Sequence, residues 1–492
     1  MTPYLISGMR RYLAGILIGF QLVLLTASAQ TIPLHPVGPI PTPQQLAWQN
    51  LEFCLFVHFG PNTFTDLEWG KGTESDSVFN PTALDCRQWC RIAQAAGARG
   101  IIITAKHHDG FCLWPSEFST HTVRESPWVN GKGDVLRELS DACHEYGLKF
   151  GVYISPWDRN HPAYGTPEYN DVFVGMMKEI FSRYAPITEL WWDGANGEGP
   201  NGKKQVYDFR RYENTIREIS PQTVIFSDIG PDIRWVGNED GIAGETSWNL
   251  LDTAGFGRGA TAPPTDTLNR GNENGKYWIP AECDVSIRPG WFYHPREDSA
   301  VKSAGELMSI WVRSVGRGAS LLLNVPPNRQ GLISPQDSAS LMQFKHLRDH
   351  FLGANLARGV PVPSGSEART LSSSSLLDGN ANTYWAPQDS AGSYGFQINL
   401  DSLTSFNTIV LKEYLPLGQR IESFSLEYFQ DGKWIPVASA TTVGHERIIQ
   451  FNAVVSNKLQ LTISKSKSIP ILSEIGVYNS YPEIRIPSNQ QK

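Results

Sequence analysis

Between about residue 50 and residue 351, short continuous apolar runs alternate with amphipathic stretches of helical period, and few folds tolerate that alternation. The strand-like runs are residues 53–59, 100–104, 149–154, 189–192, 223–226, 277–282 and 320–325, and the helical stretches are 85–96, 134–146, 167–184, 206–219, 303–315 and 336–351. Strands that are apolar throughout belong in parallel sheets, covered on both faces by crossover helices. An open sheet gathers its polar residues at one switch point, whereas a barrel spreads them over the C-terminal ends of many strands. Here they are spread. His58 closes the first run, Lys106-His107-His108-Asp109 follows the second, Ser155-Pro156-Trp157-Asp158 the third, Asp193 the fourth and Ser227-Asp228 the fifth. No G-x-G-x-x-G follows the first run, which argues against a dinucleotide site. The expected fold is α/β, an irregular (β/α)8-like barrel, with a Gly/Pro/Asn-rich loop at 254–275 as a candidate lid or site lining.

Helical periodicity stops after Leu356. Short β-rich runs follow at 395–400, 408–412, 422–429, 434–438, 447–451, 458–463 and 471–477, separated by turn signals, which is the pattern of an antiparallel β-sandwich. At the other end, Arg10 and Arg11 precede an apolar run over 12–25 and the small-x-small triplet Ala27-Ser28-Ala29, the layout of a cleavable secretory signal rather than a membrane anchor. The expected organisation is a signal peptide at 1–29, a catalytic barrel at 30–355, a linker at 356–371 and a sandwich at 372–492, exported to the periplasm or beyond. Six cysteines are spread thinly over the barrel region, so free buried thiols are expected; Cys86 and Cys90 pair only if their local geometry allows it. A net charge of −7 offers no basic footprint for nucleic acid. The oligomeric state is left open.

The motifs that carry chemistry are Val57-His58-Phe59-Gly60, Glu68-Trp69-Gly70, Lys106-His107-His108-Asp109-Gly110-Phe111 and Glu189-Leu190-Trp191-Trp192-Asp193-Gly194. With them, residues 45–355 resemble glycoside hydrolase family 29, the α-L-fucosidases. The last 120 or so residues, through Leu377-Asp378-Gly379-Asn380-Ala381-Asn382-Thr383-Tyr384-Trp385 and Ser473-Glu474-Ile475-Gly476-Val477-Tyr478, resemble discoidin-like (coagulation-factor type C) modules, which include family 32 carbohydrate-binding modules. Those modules often hold a structural calcium ion, which the resemblance places at Asp378; a plain polar turn explains the same loop.

Hydrolysis of a glycoside with retention needs one carboxylate to attack the anomeric carbon and one carboxylic acid to protonate the leaving oxygen, and no metal or other cofactor. Asp193 fits the first role. It ends an apolar strand, precedes Gly194 and is walled by Trp191 and Trp192, and the resemblance makes the matching Asp the nucleophile. For the acid/base the choice is Glu239, placed in the loop after the fifth strand, with Glu245, Glu198 and Glu282 as alternatives; its segment resembles the subgroup cleaving α-1,3/1,4 linkages in branched glycans. Such an acid needs a raised pKa, from burial or from the Asp193 charge. Adjacent histidines without a repeated His spacing do not make a metal site, so His107 and His108 are read as hydrogen-bonding partners for sugar hydroxyls. The resemblance puts His58, Glu68 and Trp69 beside them in a fucose pocket, and Trp157 and Trp291 are candidate walls for a deoxy sugar. The expected partners are fucosylated oligosaccharides or glycoconjugates. The rival readings are a non-catalytic glycan-binding protein, which would lack the nucleophile, and a retaining α-glycosidase of other specificity, such as an α-galactosidase.

Overall fold

The computed structural model describes residues 34–184, 186–358, 373–387 and 394–480. The signal sequence expected at 1–29 and most of the expected linker lie outside the described residues. Eight parallel strands close into a barrel: β1 (Phe53–Val57), β2 (Gly100–Lys106), β3 (Lys149–Ile154), β4 (Glu189–Trp191), β5 (Val224–Ser227), β6 (Ile233–Trp235), β7 (Ala281–Ser286) and β8 (Ser320–Asn324). Each pairs with its neighbour in chain order, and β8 returns to β1 with Phe53 opposite Leu321. The helices between them start where the chain supplies caps. Asp85, Asp134 and Asp208 each accept the backbone N–H three residues on, and Ser303 and Glu306 form a reciprocal capping box.

One strand differs from expectation. The run at 277–282 splits: Tyr277–Trp278 forms a two-residue antiparallel ribbon with Leu250–Leu251, and the barrel strand is β7, beginning at Ala281. The strand that sequence missed, β6, has only three residues, too short for a periodic signal, and just five residues (228–232) join it to β5, with no helix between. The Asp232 N–H bonds back to Ile225 O at 3.1 Å, so the chain doubles down along the outside of the strand it has just left. Nor does the segment 254–275 line the main pocket. It carries a short helix, Thr265–Arg270, and part of it lines a separate flank cleft of 560 Å3.

In the C-terminal region seven expected runs become five strands, because two pairs fuse into the long strands Tyr394–Glu413 and Arg447–Ser466. Their register shifts near residues 399–408 divide the antiparallel sheet into two parts, and Phe396, Ile398, Phe406, Ile409, Leu461 and Val477 pack into one core between them. This module is welded to the barrel. Leu415 packs with Trp248, Leu250 and Trp278, Gln419 Nε2 donates to Ser247 O at 2.9 Å, and Ile448 N donates to Gly316 O at 2.9 Å. Asp378 is occupied by its own turn, accepting from Asn380 N at 2.8 Å and from the Thr383 hydroxyl. Among the described residues no three His, Cys, Asp or Glu side chains gather as a cation site. All six cysteines are free and buried; the close pair is Cys90 and Cys143, with sulfurs 3.8 Å apart, rather than Cys86 and Cys90. Among the described residues no helix is long and apolar enough to cross a membrane.

Inside the barrel, two carboxyls face each other below the pocket. Glu189 accepts Trp48 Nε1 at 2.8 Å and Glu282 accepts Trp191 Nε1 at 3.0 Å, and each carboxyl acts on the ionisation of the other. Burial raises Glu189 to about 7 and lifts Glu282 well above the ordinary carboxyl range. A carboxyl whose pKa is raised by folding contributes stability below its unfolded value, and that contribution is lost as pH rises through the folded value. The melting temperature should therefore fall between about pH 5 and about pH 8. Glu413 and Glu474, also raised to about 7, act in the same direction, so Glu189→Gln should reduce that fall without abolishing it, as scanning calorimetry at the two pH values would show.

Candidate active site

At the C-terminal ends of the strands lies a pocket of 220 Å3, lined by Phe56, His58, Glu68, Trp69, His107, His108, Tyr153, Trp191, Asp193, Ala195, Glu239, Asp284 and Trp291. That is smaller than a drug-sized cavity and suits one monosaccharide ring. Asp193 is the residue just past β4, and three neighbours define it. The Ala195 N–H donates to Oδ1 at 2.7 Å, the Tyr153 hydroxyl donates to Oδ2 at 2.9 Å, and His108 Nε2 stands 3.8 Å from Oδ2. Tyr153, on β3, is buried and stacked between Trp191 and His107, so its hydroxyl is aimed by packing.

The three histidines are neutral. Burial lowers His58 to about 3 and His108 to about 4, the latter despite Asp193, and drives His107 well below its ordinary value. Partners set the tautomers of His58 and His108. Asn324 Oδ1 accepts from His58 Nδ1 at 2.9 Å. Ser155 Oγ lies 2.8 Å from His108 Nδ1 and passes its own proton to Trp157 O, so His108 Nδ1 donates and Nε2 is left as an acceptor facing Asp193. A hydroxyl donating to Nε2 would sit against the carboxylate. Beneath, the buried Lys106 ammonium pairs with Asp158 at 3.3 Å and donates to Trp157 O, tying the β2 and β3 loops together.

Glu68 and Trp69 come from the β1–β2 connection. The Glu68 carboxylate accepts Trp291 N at 2.8 Å and Phe292 N at 3.3 Å, and lies 2.5 Å from His294 Nε2. Trp69, 55% exposed, stands edge-on to His108 and Trp157. Gly70 follows because a Cβ there would lie 2.6 Å from Asn62 Oδ1 and 2.7 Å from Asp109 Cβ. Gly110 has φ 88° and would press a Cβ to 2.4 Å from Asp158 Oδ1, which explains the glycine after the His-His-Asp run. Trp157 is buried behind Trp69 and His108, with its Nε1 donating to Glu198 O, and does not line the pocket; Trp291 does.

Of the four carboxylates weighed for proton transfer, only Glu239 lines the pocket. It follows β6, not the fifth strand, because the short β6 intervenes. Trp291 Nε1 donates to its Oε2 at 3.2 Å. Burial of the carboxylate, then the Asp193 charge, raises its pKa. Glu198 is exposed beyond Trp157, Glu245 faces Arg317 and the sandwich, and Glu282 is below the floor, bonded to Trp191.

The comparisons with known proteins agree with this geometry. A family model described as alpha-L-fucosidase matches residues 64–347, and one described as F5/8 type C domain matches residues 362–475. The chain belongs to the α-L-fucosidases of glycoside hydrolase family 29. It is 44% identical to alpha-L-fucosidase 1 of Arabidopsis thaliana over 90% of this chain and 88% of the plant protein. Among solved structures it matches SpGH29 at 37% identity and TM-score 0.86, covering 91% of this chain and 100% of that one. It also matches a Ruminococcus gnavus GH29 fucosidase solved with fucose, at 30% identity and TM-score 0.84, over 93% and 99% of the two chains. The protein is thus a glycoside hydrolase, an α-L-fucosidase with a discoidin-like module, acting on fucosylated glycans.

Among the polar side chains that line this fucosidase pocket, sequence reasoning passed over Tyr153 and Asp284. Asp284 had a signal: in β7 the polar residues Glu282, Asp284 and Ser286 alternate with Cys283 and Val285, which puts the acids on the lumen face. Tyr153 had only its place near the end of a barrel strand. A hydrogen bond to a charged acceptor contributes about 1.5–3 kcal/mol. Tyr153→Phe should cost about 10- to 100-fold in kcat/KM on an aryl fucoside in a protein that still folds.

Proposed function

We propose that the protein is a retaining exo-α-L-fucosidase that releases terminal fucose from α-1,3/1,4-fucosylated branched glycans by double displacement, with Asp193 as nucleophile and Glu239 as acid/base. The observation that carries the reading is that one small pocket holds an Asp193 carboxylate fixed by Tyr153 and Ala195 together with a Glu239 carboxyl of raised pKa. In the first step Asp193 attacks the anomeric carbon while Glu239 protonates the departing oxygen. In the second, Glu239 takes a proton from water as the water displaces Asp193. His58, His107, His108, Glu68 and Trp69 hold the sugar hydroxyls and ring, and Trp291 forms a wall. Trp157 acts from behind, by supporting His108 and Trp69. The linkage preference rests on the position of Glu239 on an exposed rim loop, where a proton donor also meets the aglycone, and on the resemblance of that loop to the α-1,3/1,4 subgroup.

The charged, apolar and small-residue layout of residues 10–29 supports export, with a mature chain starting near Gln30. N-terminal sequencing of the secreted protein would test this.

Two expected outcomes test the chemistry. Asp193→Gly should lose several orders of magnitude in rate, and azide should partly restore turnover by filling the cavity; full activity without azide would remove Asp193 from the role. Glu239→Ala should lose far more kcat/KM on a Lewis-type trisaccharide than on an aryl fucoside whose leaving group needs little protonation. Equal losses on the two substrates would move the acid/base role elsewhere.

A further inference from the structure

Four aromatic side chains among the described residues are exposed: Trp69, Phe118, Phe256 and Tyr277. A ring left in water forgoes the stabilisation that burial brings, so exposed rings gathered around a concavity mark a binding surface. Phe118 packs on Gly175, where a Cβ would meet its ring at 2.4 Å. Trp69 lines the catalytic pocket. The other two, Phe256 at 37% exposure and Tyr277 at 54%, both line the flank cleft. That cleft lies outside the barrel, between the helix Phe209–Ile219, the loop after β5 and the Tyr277–Trp278 ribbon. Buried Phe209, Ile229 and Ile279 give it an apolar floor. Its polar lining is the ion pair of Arg258 Nη2 with Glu213 at 2.6 Å, both partners partly exposed, together with the exposed Arg210. Arg258 also has a donor, Nη1, with no partner among the described residues. No residue lines both cavities, and at 560 Å3 the cleft has more than twice the volume of the 220 Å3 catalytic pocket.

We propose that the flank cleft is a second carbohydrate-binding site, built into the catalytic barrel, that holds about two sugar rings of a fucosylated glycan while another branch of that glycan presents its fucose to the catalytic pocket. A pyranose has a face of C–H groups and a rim of hydroxyls. The C–H face packs on an aromatic ring, as Tyr277 and Phe256 allow. Neighbouring hydroxyls, each both donor and acceptor, match a guanidinium and a carboxylate held side by side, as Arg258 and Glu213 are. Because the pair presents both signs of charge, the cleft suits a neutral polar ligand better than an acidic or a basic one. The size agrees as well, since the cleft falls within the range of small-molecule sites and the catalytic pocket suits a single ring. A glycan held at this site keeps its remaining fucose ends near the catalytic pocket at raised effective concentration. An aryl fucoside, with one sugar ring, gains nothing from it. The inference rests on the substrate class of the family and is independent of which carboxyl transfers the proton.

The test is titration calorimetry of the full-length protein with a fucosylated trisaccharide whose fucose is joined through sulfur, a linkage the enzyme does not cleave. The wild-type protein is compared with Tyr277→Ala and with Phe256→Ala, two changes at exposed positions that leave the barrel core intact. In each variant one binding event should weaken by about tenfold while any other event keeps its affinity. Tyr277→Phe, which keeps a ring, should retain that event within about threefold. Neither alanine substitution should change kcat/KM on an aryl fucoside by more than about twofold. Isotherms that are the same in the wild type and in both alanine variants would overturn the proposal. So would a loss on the aryl fucoside equal to the loss in binding, because the cleft would then be part of the catalytic site. Sedimentation supplies the remaining outcome: a dimer that Tyr277→Ala dissolves, with unchanged glycan binding, would make the cleft a contact between copies of the chain and would also overturn it.

Discussion

The structure depends on one uncompensated charge, the Asp193 carboxylate at the end of β4. Among the described residues no Lys or Arg pairs with it; its neighbours are a phenol, a backbone N–H and an imidazole whose pKa burial lowers. Hydrogen bonds of this kind fix the direction of a carboxylate without neutralising it, so its reactivity toward an electrophilic carbon is retained. Three histidines are neutral, and Glu239 and Asp284 are held above the ordinary carboxyl range.

The scaffold that aims this charge is built from outside inward. Capped helices cover apolar strands. The floor is a stack in which Tyr153 lies on Trp191 and Trp191 on Phe226, with ring centroids 5.3 and 3.9 Å apart. Trp191 is in turn bonded to Glu282, so the buried pair Glu282 and Glu189 supports the pocket from below. The C-terminal module contributes no lining residue to the pocket. Its Val410 and Ile448 belong to the barrel's outer core, which makes it a buttress of the fold whatever it binds.

Much of this was legible in the sequence, for physical reasons. Long strands buried on both faces leave continuous apolar runs, and catalytic groups must stand at their C-terminal ends, so His58, His107, His108 and Asp193 announced both barrel and site. The pocket gathers eight of the nine predicted catalytic and sugar-binding residues directly, with Asp193 at the centre of the hydrogen bonds and Trp157 just behind. What escaped was short or depended on tertiary contacts. The three residues of β6 carry no period, and losing that strand placed Glu239 one strand too early. The fused strands of the module hide their bends, because a register shift leaves no composition signal. Asp284 was hidden by ending its strand at Glu282, although the alternation of acids in β7 continues past it.

The central claim is that Asp193 becomes covalently bonded to the sugar. It is tested most directly by trapping with a 2-deoxy-2-fluoro-α-L-fucosyl donor carrying a good leaving group, followed by peptide mass spectrometry. The account predicts one fluorofucosyl unit per chain, on the peptide containing Asp193, and no label in Asp193→Gly. A label on Glu68, Glu239 or Asp284 instead, or steady turnover with release of the inverted anomer and no trapped adduct, would contradict it.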